Sequence, residues 1–319
     1  MSSPRFDELD QRITAALQID GRAAWRTIAS ALGEQERTVA RRGAQLLESG
    51  VVRVTGLARR GDALLVRVRC ARGTARMAAR ALAARPDTTY SYLLTGPVDC
   101  VAELVCPAAT LNVLLLDELP ATPGVKSCES LPILRYFRTL HEWHPAVLSE
   151  EEAAALGAVP MVTPPPSSPG DSGTPTDRAI LRALREDGRV THDELARLAG
   201  VSSSTARRRV EAMRADGTLL VRAVVNPAQL GLAVHALLWI RTPPTAVEST
   251  GAALLESPNV RYAAAISGTY QIVAEVAVPD RAALHAFITR GPWLEHVDTI
   301  ESALVMQALK SSGVPMPPS

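Results

Sequence analysis

Residues 195–210 read LARLAGVSSSTARRRV, a segment that predicts two helices joined by a tight turn. Gly200 stands where the first helix should end, a position that favours a residue able to adopt the left-handed conformation. Ser202 follows as a suitable N-cap for the second helix. Apolar residues of that helix recur at i, i+4 and i+7 and should pack inward: Ala206, Val210 and Met213. The segment therefore predicts a helix-turn-helix arrangement.

The same pattern occurs earlier in the chain. Asp20-Gly21-Arg22 reappears 167 residues later as Asp187-Gly188-Arg189, and this shift holds from residues 10–50 to residues 177–217. A second block, residues 90–125, recurs as residues 262–297 at a shift of 172. Two long repeats with almost no gaps indicate two copies of one two-part unit.

Charge is segregated along the 319 residues, although the net charge is only +1. Residues 1–60 and residues 176–225 each carry ten arginines and seven acidic residues, whereas the segments that follow them are net negative. The first part of each repeat is thus expected to face a polyanion. No apolar stretch approaches the ~20 residues of a membrane span, and the N-terminus lacks a signal peptide, so we expect a cytoplasmic protein without membrane contact.

Each repeat predicts two folds in succession. Its first part reads as three helices and a strand, a winged helix-turn-helix. Its second part has the order β-α-β-β-α-β of a ferredoxin-like sandwich. The predicted class is α+β, with two winged helix-turn-helix domains alternating with two ferredoxin-like domains.

The expected boundaries are 1–58 and 176–226 for the helix-turn-helix domains, 59–144 and 227–311 for the ferredoxin-like domains, 145–175 for a linker and 312–319 for a tail. The linker should contain a short helix opened by a Ser149–Glu152 capping box. One bare sheet face per ferredoxin-like domain predicts pairing, within the chain or in a homo-oligomer.

The second helix-turn-helix is the better candidate for binding double-stranded DNA. Short hydroxyls and arginines at the start of a helix suit base edges and phosphates in a major groove. The predicted DNA-binding residues are Ser202, Ser203, Ser204, Thr205, Arg207, Arg208 and Arg209. The alternative is that the arginines only make an exposed helix face polar and have no role in DNA binding.

The first copy departs from this pattern. Gln35 and Glu36 replace Ser202 and Ser203, which removes the cap and adds an acid. Gly43 replaces Val210, which should leave the packing face unfilled. Three arginines remain as candidates for DNA contact: Arg37, Arg41 and Arg42.

A helix-turn-helix followed by a ferredoxin-like domain resembles the Lrp/AsnC (feast/famine) family of transcriptional regulators, here as a fused pair. The resemblance implies DNA binding, assembly through the C-terminal domains and a small effector such as an amino acid, bound near a Gly-x-Tyr-Asp turn. The corresponding turns read GPVD at 96–99 and GTYQ at 268–271. The effector-binding candidates are Gly96, Asp99, Gly268, Tyr270 and Gln271. Alternatively, both glycines simply make hairpin turns.

Enzymatic chemistry has little support in the sequence. His141 and His144 lack a cysteine or acidic partner for a metal, and no catalytic residue or cofactor is predicted. Some proteins that resemble this family are sirohaem decarboxylases, whose chemistry would require converging histidines and arginines. Of the six histidines, three fall in the second C-terminal domain, namely His235, His285 and His296, and no cluster is readable. A third possibility is a metabolite-binding assembly protein with vestigial helix-turn-helix units.

Overall fold

The computed structural model describes residues 6–58, 62–157 and 173–316, so part of the predicted linker (158–172) and the last three residues lie outside the described chain. The helices are α1 (Glu8–Ile19), α2 (Trp25–Leu32), α3 (Glu36–Glu48), α4 (Ala75–Ala84), α5 (Leu111–Val113), α6 (Glu150–Ala155), α7 (Pro175–Glu186), α8 (His192–Ala199), α9 (Ser203–Ala215), α10 (Val247–Leu255) and α11 (Arg281–Arg290). The strands are β1 (Val52–Ala58), β2 (Ala63–Cys70), β3 (Thr88–Leu94), β4 (Cys100–Val105), β5 (Val125–Arg138), β6 (Leu219–Val225), β7 (Val234–Arg241), β8 (Val260–Ile266), β9 (Ile272–Val278), β10 (Thr299–Ser311) and β11 (Val314–Pro315).

The chain forms two compact units. Among the described residues, the helical unit comprises 6–58, 144–157 and 173–229, and the strand unit comprises 62–143 and 230–316. None of the described helices is both long and apolar enough to cross a bilayer.

The helical unit contains two three-helix bundles, α1–α3 and α7–α9. The core of each bundle is formed by fully buried aliphatic side chains from its first two helices: Ile13, Leu17 and Ile28 in the first, and Ile180, Leu184 and Leu195 in the second. Helices α2 and α8 end at Gly33 and Gly200, whose φ angles of 67° and 66° are left-handed. These glycines make the predicted turn between the second and third helix of each bundle.

The strands that follow the two bundles pair with each other. β1 and β6 are antiparallel along their full length, from Val52 opposite Val225 to Ala58 opposite Leu219. The predicted β-wing is therefore wrong for the described residues, because each copy supplies one strand rather than a hairpin. A lone strand has unpaired backbone N–H and C=O groups, and here the sister copy satisfies them.

A short helix within the predicted linker belongs to the helical unit. Ser149 Oγ accepts a hydrogen bond from Glu152 N at 3.1 Å, and Glu152 Oε2 accepts one from Ser149 N at 2.8 Å, which confirms the predicted capping box. Arg12 of α1 forms an ion pair with Glu152. Residues 149–155 are thus attached to the first bundle.

The strand unit contains two similar sets of four strands, ordered β3-β4-β2-β5 and β8-β9-β7-β10. β5 and β10 are long, and each pairs with both sets. β5 binds β2 through residues 125–132 and β8 through 133–138, while β10 binds β7 through 299–304 and β3 through 305–310. The pairings close eight strands into a ring.

Successive side chains along each strand point to opposite sides, so each sheet has two faces. In β4, Cys100, Ala102 and Leu104 pack with α4, whereas Val101 belongs to a core shared by both sets of strands. The shared core contains aromatic residues from both halves: Tyr90, Tyr92, Trp239 and Tyr262. The bare sheet faces expected from the sequence cover each other inside the ring.

Two local predictions in this unit are wrong. The second helix predicted for the ferredoxin-like domain at 59–144 is instead a 3₁₀ turn, one short α-helical turn (α5) and a π turn at Leu114–Glu118. The π turn brings residues five positions apart onto one face, so that Leu114 and Leu119 are both buried. The tail expected at 312–319 contains β11, because Ser312 (φ 50°) and Gly313 (φ 75°) form a two-residue hairpin turn with β10.

Candidate nucleic-acid interface

Helix α9 presents a polar, basic surface at its N-terminus. Ser202 caps the helix by accepting a hydrogen bond from Thr205 N at 3.2 Å. Its hydroxyl also lies 3.0 Å from that of Ser204 and 2.9 Å from that of Thr205, so the exposed helix start is lined with hydroxyls. Ser203 is half-buried beside them. Because first-turn N–H groups have no acceptor within a helix, this end suits a phosphate or another anion.

The exposed face of α9 carries two of the three predicted arginines. Arg207 donates to Glu211 Oε1 at 2.8 Å, and its side chain is 68% exposed. Arg208 is exposed, and it has no hydrogen bond or ion pair to another residue among those the structure describes. Since an ion pair between two exposed side chains is weak in water, Glu211 can release Arg207 to a stronger anion.

The third arginine has an internal partner. Arg209 lies 3.4 Å from the buried carboxylate of Asp177, the residue that also closes the capping box of α7. The first copy repeats this contact, since Arg42 donates to Asp10 at 2.9 Å and also binds Asp7. In both copies this arginine joins the third helix to the first, a role that the sequence analysis did not foresee.

Helix α3 has a different surface. Gln35 provides no side-chain cap, as expected, and Glu36 is exposed in the first turn. Arg37 and Arg41 are exposed, with Arg41 donating to Gln45 Oε1 at 3.1 Å. Two basic side chains therefore remain on this helix despite its uncapped, acidic start.

The packing defect expected at Gly43 is absent, so that prediction was wrong. A Cβ at this position would lie 2.3 Å from the Trp25 ring. Trp25 therefore fills the space that Val210 occupies in the second copy, where His192 stands in place of Trp25. The larger residue on one helix compensates for the smaller one on the other.

The Asp-Gly-Arg repeat joins the two bundles to each other. Arg22 donates to the carbonyl oxygens of Gly188 (2.7 Å) and Val190 (3.0 Å). In the same way, Arg189 donates to the carbonyl oxygens of Gly21 (2.6 Å) and Ala23 (3.2 Å). We call these four hydrogen bonds the arginine clasp. The duplicated Asp-Gly-Arg was visible in the sequence as part of the repeat, but its contacts with the other copy were not predicted.

The glycines of this repeat allow the close approach. Gly21 N donates to Val221 O at 2.8 Å, and Gly188 N donates to Val54 O at 2.9 Å. A Cβ on Gly21 would lie 2.7 Å from Val54 Cγ1, and one on Gly188 would lie 2.9 Å from Thr55 N. Each glycine thus lies against the two-stranded sheet without room for a side chain.

The two turns predicted to bind an effector lie in the strand unit. Gly96 and Gly268 have φ angles of 100° and 127°, which favour glycine. Asp99 Oδ2 accepts from Cys70 N at 2.7 Å, and Gln271 Oε1 accepts from Thr242 N at 3.3 Å at the sister position. In both turns the side chain therefore satisfies a backbone N–H at the end of the adjacent strand.

Tyr270, the remaining effector candidate, belongs to a contact between the two halves of the strand unit. Its hydroxyl donates to Glu301 Oε2 at 2.6 Å. Glu301 also binds Arg67, whose guanidinium lies 4.3 Å from the centre of the Trp239 ring. Arg67 and Trp239 occupy equivalent positions on β2 and β7, so one sister position stacks on the other.

The interior of the ring holds two sister carboxyl groups in unlike surroundings. Glu103 accepts from the Tyr262 hydroxyl at 2.7 Å, and burial raises its pKa to about 7 against the opposing hydrogen bonds. Burial would also raise the pKa of Glu275, but the neighbouring charges of Arg261 and His235 bring it below the ordinary value. The ring thus contains one carboxyl that favours protonation and one that is held ionised.

The histidines considered for enzymatic chemistry are dispersed. His235 lies 2.8 Å from Glu275 inside the ring, whereas His285 and His296 are exposed. Among the described residues, no group of three or more His, Cys, Asp or Glu side chains could hold a metal ion.

Comparisons with known proteins agree with this architecture. Residues 6–47 and 174–214 match the AsnC-type helix-turn-helix domain, and residues 235–315 match the Lrp/AsnC ligand binding domain. An HTH-type transcriptional regulator of Pyrococcus horikoshii is 34% identical over 113 residues, which are 35% of this chain and 72% of that protein. The leucine-responsive regulatory protein of Rhizobium meliloti is 30% identical over 141 residues, 43% of this chain and 90% of that protein.

A solved structure extends the likeness of fold to nearly the whole chain. The siroheme decarboxylase NirDL aligns with 96% of this chain and 93% of its own, with a TM-score of 0.59 and 14% identity. At that identity the similarity concerns the fold alone. The two helix-turn-helix matches, the ligand-binding-domain match and the sequence relatives show that this chain belongs to the Lrp/AsnC family of helix-turn-helix transcriptional regulators.

Proposed function

We propose that this regulator works as a single-chain equivalent of a dimer, with α9 as its principal DNA-reading helix and a small metabolite as its effector. The observation that carries the proposal is the surface of α9. Its capped start, exposed hydroxyls and exposed arginines lie together on the helix that follows the glycine turn. In a helix-turn-helix, the residues at this place contact base edges and phosphates.

Intra-chain pairing supports the single-chain part of the proposal. We interpret the chain as a tandem duplication with helix-turn-helix domains at 1–58 and 176–226 and ferredoxin-like domains at 59–144 and 227–311. In the helical unit, the arginine clasp and the β1–β6 sheet join the first copy to the second. In the strand unit, β5 and β10 each pair with strands of both halves. The surfaces that would otherwise need a second subunit are therefore covered within one chain.

The side chains buried in the strand unit also favour pairing of the first half with the second over pairing of two identical halves. Two copies of the first half would bring one Arg67 against another, since this residue stacks on its sister position, Trp239. They would also bury two Glu103 side chains without Arg261 or His235, whose sister positions are Thr89 and Ala63. Like charges in a buried interface are strongly unfavourable. Pairing of unlike halves avoids both problems.

For the effector, we propose an amino acid or a related metabolite bound by the turns at 96–99 and 268–271. Gly96 and Gly268 leave backbone groups accessible to a ligand, and the hydroxyl of Tyr270 is a polar group beside the second turn. Asp99 and Gln271 already accept backbone hydrogen bonds, so a ligand would share or replace those contacts. Further assembly of the chain into a homo-oligomer through the strand unit is part of the same proposal.

DNA binding is tested by fluorescence anisotropy on the DNA upstream of the protein's own gene. We expect specific binding that weakens steeply with salt, because phosphate contacts release counterions. Arg207→Ala/Arg208→Ala should lower the affinity, whereas Arg290→Ala, an exposed arginine on α11, should not. Unchanged affinity in the α9 double variant, or binding without sequence preference, would contradict the proposal.

A second candidate is an enzyme that acts on an iron tetrapyrrole, favoured by the fold match over 96% of the chain. The placement of His235, His285 and His296 does not supply a converging set of side chains for such chemistry. An absorbance titration with iron-uroporphyrin III separates the two candidates. Saturable binding at one ligand per chain would favour the enzyme, and no binding would favour the regulator.

A further inference from the structure

We infer that one chain binds a non-palindromic DNA site with two unlike half-sites, one read by α9 and the other by α3. This inference rests on the proposed function. A symmetric helix-turn-helix dimer presents the same helix twice, so its operator mirrors the two-fold symmetry of the protein. The two helices here are equivalent in position but not in surface.

The positions of α3 and α9 correspond one to one. Each helix buries one face in its bundle, through Val39, Gly43 and Leu46 in α3 and through Ala206, Val210 and Met213 in α9. The ion pairs Arg42–Asp10 and Arg209–Asp177 fix both helices to their first helices in the same way. Outward positions can therefore be compared at the shift of 167 residues.

The outward positions differ in charge, size and hydrogen-bonding capacity. Only the threonine at 38 and 205 and the arginine at 41 and 208 are shared. Ser202, Ser203, Ser204 and Arg207 of α9 correspond to Gln35, Glu36, Arg37 and Ala40 of α3. An acid favours a base with an exocyclic amine, an arginine favours guanine, and a serine accepts either role. The two helices therefore cannot prefer the same base sequence.

The helical unit holds these two surfaces together. β1 and β6 pair over seven residues, and the arginine clasp adds four hydrogen bonds between the copies. One chain thus carries α3 and α9 in the same unit, whereas two α9 helices require a second chain. A DNA site bound by one chain should accordingly have preferred bases in both half-sites, and the two half-sites should differ in sequence.

The experiment is selection of binding sites from a random double-stranded library by the full chain, followed by determination of the number of chains per selected site. We expect a motif with two unlike half-sites bound by one chain. In a palindrome made from either half-site, one helix meets bases that it does not recognise. Such palindromes should bind a single chain roughly 5- to 150-fold more weakly for each mismatched base pair that the helix discriminates.

A symmetrised variant makes the test reciprocal. Replacement of four residues of α3 by their α9 counterparts should convert the preference to a palindrome of the α9 half-site: Gln35→Ser, Glu36→Ser, Arg37→Ser and Ala40→Arg. The opposite exchange in α9 should shift the binding preference to a palindrome of the α3 half-site. Its substitutions are Ser202→Gln, Ser203→Glu, Ser204→Arg and Arg207→Ala. It provides a second measurement if the first variant does not fold.

The outcomes are distinct. Unlike half-sites that become alike in the symmetrised variants support the inference. A palindromic motif bound by one wild-type chain overturns it, as does a motif with information in only the α9 half. Failure to select any sequence refutes the proposed DNA-reading function itself.

Discussion

The two sister carboxyl groups inside the strand ring should respond in opposite ways to the same substitution. Glu103 and Glu275 occupy equivalent positions on β4 and β9, and both are buried. Glu103→Gln should stabilise the protein at pH 8, whereas Glu275→Gln should destabilise it. The substitution keeps the shape, removes the ability to ionise and replaces one acceptor oxygen by an NH₂ donor.

The magnitude for Glu103 follows from its surroundings. Burial raises its pKa from 4.5 to about 7, while the hydroxyls of Tyr262, Thr89 and Tyr136 oppose the rise and Glu275 adds to it. The folded state therefore binds more protons than the unfolded state between these values. Stability should fall as the pH rises through that window, by roughly 3 kcal/mol in total, and remain constant above it. A glutamine can accept the Tyr262 hydrogen bond without this loss.

The same replacement at Glu275 removes the charged partner of two buried side chains. Arg261 Nη1 and His235 Nε2 both contact Glu275 Oε1, and the Arg261 side chain is only 6% exposed. An uncompensated buried cation costs about 3–5 kcal/mol. We therefore expect a loss of at least about 3 kcal/mol at pH 8, partly reduced by the hydrogen bonds that glutamine can still accept.

Urea unfolding followed by tryptophan fluorescence measures both effects. Three of the four tryptophans belong to the strand unit, namely Trp143, Trp239 and Trp293, so the signal reports mainly on the ring. The free energy of unfolding is compared at pH 5 and pH 8 for the wild type and both variants. The reasoning would be refuted if Glu103→Gln kept the pH dependence of the wild type, or if it lowered stability at pH 8.

Two further predictions concern the helical unit. Gly43→Val should destabilise the protein by about 1–3 kcal/mol, because its Cβ would lie 2.3 Å from the Trp25 ring. In thermal melts, the double variant with Trp25→His, which recreates the valine and histidine of the second copy, should recover much of that lost stability. If the two substitutions instead destabilised the protein additively, the prediction would be contradicted. Arg208→Ala should weaken DNA binding and reduce the salt slope by about one, whereas Arg209→Ala should mainly lower the melting temperature because it breaks the pair with Asp177. Equal effects of the two arginine variants on both readouts would show that the assignment is wrong.

Local sequence signals predicted much of the reading helix. Helix α9 (Ser203–Ala215) begins directly after its predicted cap, Ser202, and buries the predicted face, because the cap and the apolar spacing are determined within a few residues. The succession of strands and helices along each half also follows the predicted order β-α-β-β-α-β. These features depend on short-range geometry, which a single sequence records directly.

Pairings between the copies were not predicted, since they join residues more than a hundred positions apart. The arginine clasp links Arg22 to Gly188 and Arg189 to Gly21, and Tyr262 binds Glu103. The repeat identified several of these residues but contained no information on which sister each would contact. A duplicated residue can support its own copy, as Arg209 does, or the other copy, as Arg189 does.

Divergence of α3 from α9 and divergence of the pairing surfaces are connected. In a symmetric dimer, residues 67 and 239 would be one residue that meets its own copy, and any change would appear on both sides of the contact. Here they are an arginine and a tryptophan 4.3 Å apart, and each needs the other. Once one chain carries both halves, each half can vary without changing its sister. Because such unlike pairs favour association of the first half with the second, they disfavour the pairing of identical halves from two chains, and the asymmetric DNA site that we infer would then be read by a single chain.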